Sequence, residues 1–141
     1  MAAALKLLAL WAVAAGTLLF HQLTGIPGRY LGQGHPETPS LPVTVADLLF
    51  LAVLVALPIL ALAALFHWLR LRWLVLPVLA GPWLWAADAL VFPFRSDFGN
   101  TWTDSEVFFE LTLDPVYTPL ALALFLMAAV FLLRRPTGPS R

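Results

Sequence analysis

The chain has 141 residues, of which 61% are hydrophobic and only 11% charged, with a mean hydropathy of +0.87. A water-soluble domain carries about 25% charged residues, so this chain lacks the polar surface to clothe a globule in water and belongs in a bilayer. Eight Lys plus Arg balance eight Asp plus Glu, with no basic stripe for nucleic acid, and the absence of cysteine excludes disulfides, thiolate catalysis and iron–sulfur clusters.

Spanning about 30 Å of hydrocarbon takes roughly 20 helical residues, and four apolar stretches approach that length. The first runs from Ala2 to Phe20 and is interrupted only by Lys6, whose stem can reach the near interface. A cleaved signal peptide is the rival reading, because Lys6 precedes an apolar run and Ala12-Val13-Ala14 has the small-x-small form of a cleavage site. Apolar residues continue beyond that site to Phe20, and a span accounts for them better. Residues 21–42 follow as a Gly- and Pro-rich loop.

The second stretch, Val43 to Phe66, has one charge, Asp47, near its start, where a carboxylate complements the helix dipole. A tight turn then brackets Arg70 and Arg72 with Trp68 and Trp73, as suits a headgroup-level anchor. The third stretch, Trp73 to Phe94, contains Asp88. Residues 95–115 form the acidic loop, in which Thr103-Asp104-Ser105-Glu106 has capping-box form and predicts a helix start. Pro115 and Pro119 then end or kink that helix. The fourth stretch, Val116 to Leu133, is uncharged.

The expected fold class is therefore all-α, a single four-helix transmembrane bundle with both termini cytoplasmic. Lys6, Arg70, Arg72, Arg134, Arg135 and Arg141 fall on one side, and only Arg29 and Arg95 on the other, so the positive-inside rule sets the orientation.

Asp88 is the sharpest candidate for chemistry. It lies six residues before Phe94, about 9 Å inside the span at 1.5 Å per residue. An ionisable group at such depth marks a ligand or proton site, or else hydrogen-bonds two helices together. Trp83 and Trp85 share its helix, and Tyr117 sits at a similar level on span four. Aromatic faces beside one carboxylate favour a cationic, apolar ligand. Pro58, Pro77, Pro82 and Pro93 are compatible with a pocket without arguing for one. Glu106, Glu110 and Asp114 recur every four residues and read as a solvated helical stripe in preference to acids lining a pocket mouth. His21 and His67 fall at opposite ends of the bundle and His35 lies in a loop, so neither a metal site nor another cofactor is expected.

Three strings carry a family resemblance: LLFHQLTGIPGRYL at 18–31, HPETPSLPVTVADLLFLAVLVALP at 35–58, and LTLDPVYTPLALALFLMAAVFLLRRP at 111–136. With the cytoplasmic termini and the short basic second loop, they resemble the EXPERA family, four-helix membrane proteins that include the emopamil-binding sterol isomerase and the sigma-two receptor. The resemblance implies a lipid- or sterol-type ligand. It also exposes departures, because Gln22, His35 and Ala52 stand where the family tends to carry acids. A charged pocket here would draw its carboxylate from Asp88 instead. Isomerisation needs a proton donor and acceptor flanking the shifted double bond, and this sequence does not name both.

The function expected is that of a membrane protein binding a hydrophobic ligand, lined by Asp88, Trp83, Trp85 and Tyr117. The alternatives are a non-catalytic small subunit or assembly factor of a larger membrane complex, and a lipid or sterol isomerase. Expected partners are the lipid bilayer, a hydrophobic small molecule, and other membrane subunits or a second copy in a homodimer. An abundance of Ala, Leu, Pro and Arg points to a bacterial inner membrane, or to the endoplasmic reticulum if the source is eukaryotic.

Overall fold

A computed structural model describes residues 2–25, 45–69, 75–91 and 103–133, and all of its regular structure is helical. Helix α1 is Ala2–Thr24. Helix α2 comprises Val45–Val55 and Leu57–Leu69, joined through Ala56, whose N–H donates to Ala52 O at 3.1 Å and whose carbonyl accepts from Leu60 N at 3.2 Å. Helix α3 is Val75–Val91 and continues through Pro82. Helix α4 starts at Asp104–Glu106 and passes into a π-helical turn, Val107–Thr112, and helix α5 is Tyr117–Leu133.

Among the described residues, two helices are long and apolar enough to cross a membrane, over Ala3–Thr24 and Leu48–Phe66. A third qualifies if Asp104–Thr112 and Tyr117–Leu133, bent by 79°, act as one span. Pro77–Val91 is apolar but shorter. The remaining part of the third expected stretch, residues 73–74 and 92–94, lies outside the described residues, as do His35 and all the arginines used for orientation.

Helix α1 is central and packs against α2, α3 and α5, while α3 also contacts α2, α4 and α5. The seam is built from positions about one or two turns apart: Leu10, Ala14 and Leu18 on α1, Ala52, Ile59 and Ala63 on α2, Leu79, Trp83 and Leu90 on α3, and Ala121, Phe125 and Ala129 on α5. Alanines are frequent in it, and their small side chains let apolar helices approach closely. On the opposite face of α5, Leu120, Leu124, Met127 and Phe131 are exposed. The Trp11 indole N–H donates to Val53 O at 3.1 Å and fastens α1 to α2.

Helix α1 runs past the expected end at Phe20 to Thr24, so His21 and Gln22 are helical rather than part of a loop. The His21 ring and the Gln22 amide nitrogen find partners inside the protein and give the helix no reason to stop there. The capping box at α4 forms as expected, with Thr103 N donating to Glu106 Oε2 at 2.7 Å and Glu106 N donating to Thr103 Oγ1 at 3.4 Å.

The acidic stripe does not form. Helix α4 ends at Thr112, so Asp114 leaves the face of Glu106 and Glu110 and is buried while they are exposed. Its Oδ1 accepts from Val116 N and Tyr117 N, each at 2.9 Å, which makes Asp114 the N-cap of α5, with Pro115 at the first helical position.

Candidate functional site

Where the C-terminal ends of α1 and α3 meet the α4–α5 corner, polar side chains converge inside an otherwise apolar interior. His21, Gln22, Thr112, Asp114 and Thr118 are all buried there. The corner creates the opportunity. The Thr112 carbonyl, at the end of α4, has no continuing helix to bond. Pro115 has no N–H, and the N–H groups of Val116 and Tyr117 are taken by Asp114. Thr112 O therefore accepts from His21 Nε2 at 3.0 Å and from the Thr118 hydroxyl at 2.7 Å.

These contacts fix the histidine tautomer. Thr118 spends its hydroxyl proton on Thr112 O, so toward His21 Nε2, 2.9 Å away, Thr118 Oγ1 acts as an acceptor. Both partners of Nε2 accept, and Nε2 carries the proton. On the other side of the ring, Gln22 Nε2 lies 3.5 Å from His21 Nδ1 and donates to Ala87 O at 3.1 Å. The network thus ties α1 to α3, α4 and α5 at one level.

Asp88 and Trp83 join this network. Asp88 is half-buried, and its Oδ1 accepts the Thr112 hydroxyl at 2.9 Å. Trp83 is fully buried. Its ring stands edge-on to His21 with centroids 5.7 Å apart, and its Nε1 donates to Thr17 Oγ1 at 3.1 Å. Thr17 donates in turn to Val13 O and Ala14 O, so the indole bond leaves no donor idle.

Trp85 does not line this interior, contrary to expectation. Two residues along an α-helix turn the side chain about 200°, and with Trp83 inward Trp85 is 56% exposed on the outer face. Tyr117 is half-buried at the start of α5, with its ring edge against Phe20 at 6.4 Å. Of the four expected residues, Asp88 and Trp83 meet in one network, Tyr117 lies at its α5 margin, and Trp85 faces away.

In the sequence, Asp114 stands out only as part of the acidic series, and His21, Gln22, Thr112 and Thr118 do not stand out as site residues. Two signals could have found some of them. A His-Gln pair closing an apolar span is a polar expense that needs partners, and Asp114-Pro115 has the N-cap and first-position form of a helix start. The pairing of His21 with residues 91 and 97 positions away has no local signal. Comparison with protein-family models, curated proteins and solved structures finds no match to this chain.

Proposed function

We propose that the chain is a multi-pass membrane protein that binds a hydrophobic, lipid- or sterol-like ligand at the end of its interior marked by Asp88. The proposed topology has four spans, at residues 2–20, 43–66, 73–94 and 116–133, with both termini cytoplasmic. One observation carries the functional reading: a half-buried carboxylate, Asp88, is held by Thr112 at the edge of a buried polar network inside apolar helices. Polar and ionisable groups at such places are expensive and mark ligand or ion sites. The resemblance to the EXPERA family supplies the ligand class, and the carboxylate favours members of that class bearing a cationic nitrogen.

A second reading, as a small subunit or assembly factor, is favoured by Trp85, a large aromatic side chain exposed on an outer helix face. Purification distinguishes the two. A ligand-binding bundle leaves the membrane in mild detergent as one small species whose melting temperature rises with a hydrophobic amine. Recovery in fixed ratio with other polypeptides, without such a rise, overturns the ligand reading.

The topology has its own test. The chain lacks cysteine, so Arg70→Cys and Gly99→Cys each introduce one thiol without background. An impermeant thiol reagent applied from outside labels Gly99→Cys and spares Arg70→Cys. Labelling of Arg70→Cys alone inverts the orientation, and equal labelling of both undoes the span count.

A further inference from the structure

Gln22 is 1% exposed, and among the described residues its Oε1 is the one buried side-chain nitrogen or oxygen without a hydrogen-bond partner. Turning the amide over does not relieve it. The amide nitrogen donates to Ala87 O at 3.1 Å, and exchange would set oxygen against that carbonyl, acceptor facing acceptor. His21 also requires the nitrogen where it is, because its own proton sits on Nε2 and its Nδ1, 3.5 Å from the amide nitrogen, accepts. A buried acceptor left unmet carries its full desolvation penalty, so this oxygen calls for a donor.

The carbonyl that holds Gln22 belongs to Ala87, and the next residue is Asp88, half-buried and held by Thr112. Asp88, through Thr112 and His21, and Gln22, through His21 and Ala87, thus belong to one cluster that holds a neutral and an anionic acceptor. A neutral O–H suits the amide oxygen, because a second ammonium there would be costly to desolvate. We infer that the ligand of this site is a long-chain amino alcohol, its cationic nitrogen directed to Asp88 and its hydroxyl donating to Gln22 Oε1. The inference rests on the ligand reading proposed above and adds the hydroxyl. Water offers the same O–H chemistry, and the experiment separates the two donors.

The purified protein in mild detergent is titrated with three probes, a long-chain vicinal amino alcohol, its O-methyl ether and the parent alkylamine, and affinity is read from thermal shifts. The ether accepts but cannot donate. Wild type binds the amino alcohol about 5- to 100-fold more tightly than the ether, and Gln22→Met abolishes that preference. Equal affinity for alcohol and ether in wild type makes water the donor at Gln22 and overturns the amino-alcohol assignment, while binding of all three leaves the Asp88 reading standing. A preference that survives in Gln22→Met also overturns the assignment. If none of the three binds, the Asp88 reading falls and takes this one with it. Should Gln22→Met fail to fold, the alcohol–ether comparison in wild type decides alone.

Discussion

Replacing Asp88 by asparagine lowers affinity for a hydrophobic amine about tenfold to more than a hundredfold, while the fold hardly changes. The substitution preserves volume, and asparagine Oδ1 still accepts the Thr112 hydroxyl that Asp88 accepts at 2.9 Å. What disappears is the negative charge. A hydrogen bond to a charged group contributes about 1.5 to 3 kcal/mol, and each 1.4 kcal/mol is about tenfold in affinity. Under the competing interpretation, Asp88 only joins α3 to α4. The Asn variant then costs no more than the roughly 0.6 kcal/mol typical of interhelical hydrogen bonds in membranes, and no amine binds either protein. A thermal-shift titration of wild type and Asp88→Asn in the same detergent separates the two cases. Equal shifts in both proteins, or none in wild type, remove Asp88 from the ligand site.

The largest expected effect on stability comes from Trp83→Ala, at about 3 to 5 kcal/mol, the range for deleting a buried aromatic side chain. Trp83 is 0% exposed within the seam shared by α1, α2, α3 and α5. Truncation opens a void there and removes the donor to Thr17 and the edge contact to His21. Trp83→Phe keeps most of the ring volume and falls well short of that cost. Trp85→Ala, two residues away on the outer face, leaves the melting temperature nearly unchanged. Thermal unfolding of the three variants checks this, and similar losses for Trp83→Ala and Trp85→Ala would overturn the assignment of Trp83 to the inward and Trp85 to the outward face of α3.

The contrast between these two tryptophans marks the limit of the sequence. Apolar stretches and charges separated by tens of residues are local quantities, and they determine that the chain is helical and apolar enough for a bilayer. Thr103 and Glu106 likewise announce the start of α4 because a capping box closes within four residues. Which face of a helix turns inward is different. In water an apolar stripe gives the inner face away, but in lipid both surroundings are apolar and the pattern loses its contrast. Trp83 and Trp85 are therefore equivalent in sequence, and only packing against α1 separates them. The same holds for the polar network. The sequence places Asp88 inside an apolar segment, whereas its link to Thr112, and that of His21 to Thr112 and Thr118, depend on a 79° corner joining α4 to α5. Asp114 and Pro115 build that corner locally and the Thr118 hydroxyl meets the carbonyl it frees, but His21 becomes its second partner only because α1, nearly a hundred residues away along the chain, passes beside it.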